Sequence, residues 1–270
     1  MTRNTIVASL FFLIAQISFV NAGSTESEEL KNNKSSDTAT ECWEGASRAM
    51  FKFNYALDGA IFEPVSKGYR ALPEGFRKGT SNAVNNLRSL LTVSNNILQG
   101  DFKKAGTTAG RFAVNTTVGI LGIFDPAAKL GLEEQGKEDF GQTIGAWGSK
   151  SGCYFVLPIL GPTTARDAVG LVGNVFLDPV YQITHNTEIS NGVLGNGNYS
   201  EHNYYYYRGT GAVDFRAKNI ESFDSLEKNS IDLYASIKSL YLQSRNKRIS
   251  NITSTTETQN DSNWEEIDSE

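Results

Sequence analysis

Apolar residues recur at spacings of three and four along most of this chain, and this helical period is the feature that most restricts its fold. The first such segment has one face made of Ala46, Met50, Phe53, Leu57 and Ile61. Pro64 is its predicted end, because proline lacks the N–H group that a continuing helix needs. A second helix is predicted from Glu74 to Leu98, with Gly100 as its C-terminal stop.

Capping residues mark further helices along the chain. Asp101 is a predicted N-cap, and either Thr163 or Thr164 opens another helix, which ends before Pro179. The long segment from Ala212 to Arg248 also repeats its apolar residues at helical intervals. No clear strand alternation and no hairpin dipeptide between alternating runs occurs in the sequence. The sequence therefore predicts an all-α fold.

Two glycine-punctuated apolar stretches, Val118–Phe124 and Tyr154–Leu160, lie between the predicted helices. Each is too short to span a bilayer and contains or adjoins a glycine or proline. They are either buried loops of an ordinary core or apolar surface lying in a membrane interface. On the second interpretation, the residues that face lipid are Val118, Ile120, Leu121, Ile123, Phe124, Phe155, Val156, Leu157, Ile159 and Leu160.

The first 22 residues have the pattern of a cleavable signal peptide. Arg3 supplies the positive start, an apolar stretch follows, and small residues precede the expected cut after Ala22. We therefore expect residues 1–22 to be removed and the protein to be exported. The remaining predicted divisions are a flexible leader at 23–41, a helical domain at 42–248 and a disordered acidic tail at 249–270.

Cys42 and Cys153 are the only cysteines of the sequence. In an oxidising compartment an even pair can form a disulfide, which would close a long loop. The alternative is two unpaired buried thiols, because the sequence does not fix the distance between the two Cα atoms.

Little in the sequence indicates an enzyme. The two histidines, His185 and His202, lie in a polar stretch, and no nucleophile elbow, Walker A motif or zinc-protease motif occurs. With two cysteines and two histidines, neither a metal site nor a cofactor is expected. A nucleic-acid partner is also not expected, because no dense cluster of lysine and arginine occurs.

Blocks of sequence in the predicted domain resemble the MlaA/VacJ family, and they follow the family's order from Cys42 to Arg248. They include Trp43-Glu-Gly-x-Ser-Arg-Ala-Met-Phe-Lys-Phe-Asn54, Glu63-Pro-Val-x-Lys-Gly-Tyr-Arg70, Asn95-Asn96-x-Leu-Gln-Gly100, Gly119-Ile-x-Gly-x-Phe-Asp-Pro-Ala127, Asp139-Phe-Gly-Gln-Thr143, Leu157-Pro-x-Leu-Gly-Pro162, Val213-Asp-x-Arg-Ala217 and Tyr241-x-Gln-x-Arg245.

The resemblance implies a ring of amphipathic helices in the inner leaflet of the outer membrane, around an amphipathic channel. Phospholipid that has strayed into the outer leaflet would pass down the channel to a periplasmic carrier protein, so that lipid asymmetry is maintained. Trimeric porins are the implied membrane partners. Asn115, Thr116 and Arg166 could contact the lipid headgroup, with helix capping or buried hydrogen bonding as the alternative roles. A structural envelope protein, peripheral to the membrane and without transport activity, is the alternative function.

The sequence departs from the family in two places. Members commonly carry an acylated cysteine directly after the signal, whereas Gly23 stands here, so we do not expect lipidation. Cys42 and Cys153 stand where the family resemblance leads us to expect other residues, and their joint appearance favours a disulfide.

Overall fold

A computed structural model describes residues 39–185 and 201–258, and for Glu201 and residues 251–258 it describes the backbone alone. The described chain is mostly helical, which confirms the predicted fold class. The helices are α1 (Glu44–Leu57), a π-helical turn (Asp58–Phe62), α2 (Glu63–Arg70), α3 (Glu74–Leu98), α4 (Phe102–Thr117), α5 (Pro126–Lys129), α6 (Phe140–Ala146), α7 (Ala165–Leu177), α8 (Pro179–His185), α9 (Glu201–Lys218), α10 (Ile220–Asn229) and α11 (Leu233–Thr258). The predicted signal peptide lies outside the described residues.

Short polar side chains begin several of these helices by accepting hydrogen bonds from the first turn. Asp101 accepts from the Lys104 amide (2.9 Å) and Thr164 from the Asp167 amide (3.3 Å), as the sequence predicts. The bounds of α3 agree with the prediction, and Gly100 after it has a left-handed φ of 79°.

One helix prediction is wrong. Pro64 does not end the first helix, because the π-helical turn Asp58–Phe62 precedes it and Pro64 lies in the first turn of α2. There the N–H that proline lacks is not needed for a helical hydrogen bond. The segment from Ala212 to Arg248 is helical, as its periodicity predicts, and is divided into three helices by breaks around Asn219 and at Ser230, where the backbone is extended.

A small sheet, which the sequence did not predict, joins distant parts of the chain. Strand β1 (Thr40–Glu41) pairs in parallel with β2 (Cys153–Leu157), which pairs antiparallel with β3 (Gly161–Thr164). The run from Cys153 to Leu157 is apolar throughout, so it lacks the alternation by which a half-buried strand is recognised.

The ordered body is longer than the predicted domain at both ends. Strand β1 lies in the last residues of the predicted leader, and α11 continues to Thr258, past the predicted end at residue 248. Cys42 is disulfide-bonded to Cys153 with a Cα–Cα distance of 5.5 Å, so the bridge fastens the chain after β1 to the start of β2. The buried apolar cluster beside it contains Tyr154, Val156 and Tyr234.

Among the described helices, none is long and apolar enough to cross a membrane.

Candidate functional site

The described part of the chain buries mostly polar side chains and exposes many large apolar ones. Asn95, Asn96, Gln142 and Thr143 are completely buried, and buried charged residues include Asp167 and Arg245. Large apolar residues such as Phe102, Leu121 and Phe176 are exposed. Water-soluble domains rarely expose extensive apolar patches, and such patches mark surfaces that contact a membrane or another protein.

The first predicted stretch, Val118–Phe124, forms an exposed turn with an unusual backbone, here called the apolar turn. Ile120, Leu121 and Gly122 all have left-handed φ angles, of 53°, 55° and 86°. This conformation is unfavourable for a β-branched residue such as isoleucine. The exposed side chains of the apolar turn are Val118, Ile120, Leu121, Ile123 and Phe124. The strained backbone therefore presents five apolar side chains outward.

Hydrogen bonds from neighbouring helices hold the apolar turn in this conformation. The Gly122 amide donates to the Asn115 carbonyl (2.8 Å), and the Asn82 side chain of α3 donates to the Ile123 carbonyl (3.0 Å). Asn86 packs directly against Gly122, where a Cβ atom would lie only 2.6 Å from the Asn86 side chain. Glycine is therefore required at position 122 by both its φ angle and this close approach.

The second predicted stretch, Tyr154–Leu160, is divided between the core and the surface. Ile159 and Leu160 are exposed at the tip of the β2–β3 hairpin, and Ile159 has a left-handed φ of 66°. Asn54 of α1 holds this tip: its side chain accepts from the Ile159 amide (2.7 Å) and donates to the Leu157 carbonyl (2.8 Å). The apolar turn and the hairpin tip thus each have an isoleucine with a strained backbone and an asparagine side chain that forms a hydrogen bond to the backbone.

Strand geometry corrects the prediction for Val156. It is buried against Tyr154 and Tyr234, because alternate residues of β2 point to opposite faces, and it does not face the surroundings. Phe155 and Leu157, on the other face of the strand, are partly exposed.

The three predicted headgroup residues take part in hydrogen bonds within the protein. Buried Asn115 donates to Asp125 (2.9 Å) and accepts from the Ala127 amide (3.0 Å). Thr116, which is partly exposed, accepts from Asn86 (2.8 Å). Buried Arg166 donates to Asp167 (3.1 Å). For Asn115 and Arg166, these contacts favour the alternative role in buried hydrogen bonding.

A polar pocket, which sequence reasoning missed, lies between α3, α4 and the loop before α6. Its cavity volume is about 70 Å³, and it is lined by Asn82, Asn85, Asn86, Arg88, Thr108, Arg111 and Lys137, among other polar residues. Arg111 pairs with Asp125 (2.8 Å), and Lys137 donates to Asn85 (2.7 Å). The only sign of this pocket in the sequence is the helical spacing of polar residues along α3, and the same spacing is found on a helix face that is exposed to solvent.

Arg88 differs from the other cations of the polar pocket because its side chain has no ion-pair or hydrogen-bond partner among the described residues. Its Nε atom is completely enclosed, and the hydroxyl of buried Thr108 is unpaired in the same way. Desolvation lowers the pKa of Arg88, and nearby Arg208 and Arg248 lower it further. The pKa of Lys137 is lowered by desolvation and then by the charge of Arg88.

The other face of α3 borders an apolar groove. Phe76, Gly79, Ala83, Val84 and Leu87 of α3 line it, together with Ile123 of the apolar turn and Tyr207 of α9. Leu87 and Arg88 are adjacent in the chain, so the apolar groove and the polar pocket lie on different faces of the same helix.

A buried ion cluster formed by Asp139, Arg166, Asp167, Tyr241 and Arg245 joins α6, α7 and α11. Arg245 donates to both Asp139 (2.9 Å) and Asp167 (2.7 Å), and the Tyr241 hydroxyl also donates to Asp167. Burial alone would raise the pKa of Asp139, but hydrogen bonds and the charge of Arg245 outweigh it and lower that pKa to about 2. The pKa of Arg245 is raised for the same reason, despite its burial.

The side chains that most often hold metal ions are dispersed in residues 39–185 and 201–258. These residues contain no group of three or more histidine, cysteine, aspartate or glutamate residues that could hold a metal ion. His185 stacks on Tyr181 and bonds locally, and His202 lies exposed on α9.

Comparison with known proteins places these features in a family. The family model described as MlaA lipoprotein matches residues 39–248. The intermembrane phospholipid transport system lipoprotein MlaA of Haemophilus influenzae is 30% identical over 247 residues, which cover 90% of this chain and 89% of that protein. An uncharacterised protein of Rickettsia prowazekii is 38% identical over 146 residues, which cover 53% of this chain and 58% of that protein.

A solved structure has the same fold. It comes from work on the structural basis for maintenance of bacterial outer membrane lipid asymmetry. Its chain is 28% identical to this one, with a TM-score of 0.63 over 78% of this chain and 99% of that chain.

Proposed function

This chain belongs to the MlaA lipoprotein family, and we propose from that premise that it transports phospholipid between membranes and maintains the lipid asymmetry of the outer membrane. The Haemophilus influenzae relative, and a similar protein of Escherichia coli that is 30% identical to this chain, are named as lipoproteins of an intermembrane phospholipid transport system. We propose that the protein removes mislocalised phospholipid from the outer leaflet and passes it to a periplasmic carrier protein. No covalent chemistry is part of this function.

The observation that carries the proposal is that the described chain buries mostly polar side chains and exposes many apolar ones, the reverse of a water-soluble domain. A protein lying in one leaflet needs an apolar exterior against acyl chains, and a path for a charged headgroup needs a polar interior. The apolar turn and the hairpin tip supply exterior surface, and the polar pocket supplies interior surface. We propose that the helices surround an amphipathic channel in the inner leaflet of the outer membrane.

The proposed place of the protein is the periplasmic side of the outer membrane. The sulfur of Cys42 is bonded to Cys153, so in this structure it is not available to carry a thioether-linked lipid. Retention at the membrane would then depend on the exposed apolar side chains and on a trimeric porin as the protein partner. Both the apolar turn and the hairpin tip contain an isoleucine with a left-handed φ, and an asparagine side chain forms a hydrogen bond to the backbone of each. This shared construction supports the proposal that both contact the membrane.

The test is the amount of phospholipid in the outer leaflet of cells that lack this protein, before and after its restoration. We expect phospholipid to accumulate on deletion and to clear when the parent chain is restored. Restoration with a Leu121→Ser/Phe124→Ser double variant should clear it less, because both exposed side chains lie on the apolar turn.

Export and folding of each restored chain must be verified by fractionation and protease resistance. If surface phospholipid is unchanged on deletion, the transport proposal is wrong. The protein would then be a structural envelope protein peripheral to the membrane.

A further inference from the structure

We propose that the polar pocket is a phosphate-binding site in which Arg88 and Thr108 hold the phosphodiester of a phospholipid during transport. This inference rests on the proposed function and names the site at which the lipid is recognised.

Unsatisfied donors are the first observation behind it. Arg88 and Thr108 both line the polar pocket, and the Arg88 Nε and the Thr108 hydroxyl are enclosed and have no hydrogen-bond partner in the described residues. A buried polar group without a partner is costly, and native structures rarely tolerate one without a functional reason. Two such donors in one pocket are suited to an acceptor with several oxygens, and a phosphate is such a group.

The charges that line the pocket are the second observation. Arg111 is paired with Asp125, and so these two residues largely neutralise each other. Of the other charged residues of the lining, Arg88 and Lys137 are cationic, and the exposed carboxylate of Glu134 attracts Lys137 without forming an ion pair with it. A bound anion would offset the repulsion between Arg88 and Lys137 that lowers the pKa of Lys137.

The apolar groove favours a phospholipid over free phosphate as the ligand. Along α3 the groove residues Val84 and Leu87 alternate with the pocket residues Asn85, Asn86 and Arg88. A phospholipid has a phosphodiester, which suits the pocket, and acyl chains, which suit apolar surface such as the groove. Inorganic phosphate uses only the pocket.

The experiment measures binding to the full chain in detergent by isothermal titration calorimetry. The probes are a short-chain phosphatidylglycerol, a diacylglycerol with the same chains, and inorganic phosphate. The variants are Arg88→Gln and Thr108→Val, with Lys78→Gln as the matched control. Lys78 is an exposed cation of α3 outside the polar pocket and the apolar groove, so its replacement removes the same charge from the same helix.

We expect Arg88→Gln to weaken phosphatidylglycerol binding roughly tenfold or more, as loss of a charge-assisted hydrogen bond does. Thr108→Val should weaken it about two- to tenfold. Lys78→Gln should bind like the parent, and diacylglycerol should bind all four chains alike. Thermal unfolding of each variant checks its fold, and phosphatidylglycerol should raise the melting temperature of the parent more than that of Arg88→Gln.

Other outcomes would show whether the proposed binding site, the proposed function or both are wrong. If the parent binds phosphatidylglycerol and Arg88→Gln binds it equally well, the site is wrong although lipid binding stands. If inorganic phosphate binds in an Arg88-dependent way but phosphatidylglycerol does not bind, the pocket is a free-phosphate site, and the proposed function loses its ligand. Equal weakening by Lys78→Gln and Arg88→Gln would also overturn the inference, because net charge alone would explain it.

Discussion

The interior around Arg245 and the surface around the apolar turn differ in the kind of side chain that each one buries or exposes. Around Arg245 the chain encloses two carboxylates, a tyrosine hydroxyl and a second arginine, all joined by hydrogen bonds. At the apolar turn it exposes aliphatic and aromatic side chains on a strained backbone; Leu121, for example, is 71% exposed. A water-soluble domain normally shows the opposite arrangement.

This difference suggests that the interior charges stabilise the fold and that the exposed apolar side chains contact lipid. In the interior, burial of charge is tolerated only when each group is paired and hydrogen-bonded. On the surface, each exposed apolar side chain is unfavourable in water by about 25 cal/mol per Å² and becomes favourable when lipid covers it. Polar substitutions in the two regions should therefore affect different properties of the protein.

Removal of Arg245 should have the largest effect on stability. We expect Arg245→Met to lower the free energy of unfolding by about 3–5 kcal/mol, because Asp139 and Asp167 lose their shared partner inside the protein. Denaturant unfolding in detergent measures it. Lys247→Met, at an exposed position of the same helix, is the control and should change the free energy by less than about 0.5 kcal/mol. Equal effects would show that the interior charges are not what stabilises the fold.

Removal of the disulfide should have the next largest effect, because the buried apolar cluster near it is small. We expect the Cys42→Ser/Cys153→Ser double variant to lose about 2–4 kcal/mol of unfolding free energy, as chains do when a bridge closing a long loop is removed. The parent treated with a reductant should unfold at the same denaturant concentration as the variant. If the reduced parent has the same free energy of unfolding as the oxidised parent, the disulfide does not contribute to stability.

Acid should weaken the interior through Asp139. Because the pKa of this carboxyl is about 2 in the fold against an ordinary value of 3.8, its contribution is complete above about pH 4 and is lost as pH falls towards 2. The loss should be roughly 2 kcal/mol. Unfolding free energies at several pH values, compared between the parent and Asp139→Asn, isolate this residue. An unchanged slope in Asp139→Asn would contradict the assignment.

Local signals in the sequence were enough to place much of the helical scaffold. Asp101 and Thr164 mark helix starts because a short side chain can satisfy a free amide, and that interaction depends on only a few neighbouring residues. Strand β2 was missed because its continuous apolar run gives no alternation, and its pairing with β1 depends on residues far away in the chain.

The direction in which each helix face points could not be predicted from the periodicity. A polar row such as Asn82, Asn85 and Asn86 has the same spacing whether it faces water or a pocket inside the protein. The composition of Val118–Phe124 marked it as an apolar stretch between helices, but its left-handed backbone depends on contacts with α3 that only the fold reveals.

The substitution Ile120→Asn should have the smallest effect on stability. It should stabilise the fold, whereas the substitutions in the interior should destabilise it. Asparagine adopts left-handed φ angles more readily than isoleucine, so Ile120→Asn should raise the free energy of unfolding by about 1 kcal/mol. The same variant should bind phospholipid vesicles roughly tenfold more weakly, because an exposed aliphatic side chain is lost. Val118→Asn is the control: Val118 is exposed in the same turn but has an ordinary φ of −78°, so vesicle binding should fall without a gain in stability. If Ile120→Asn were less stable and bound vesicles like the parent, the apolar turn would be part of an ordinary core, and the contrast between surface and interior would not hold.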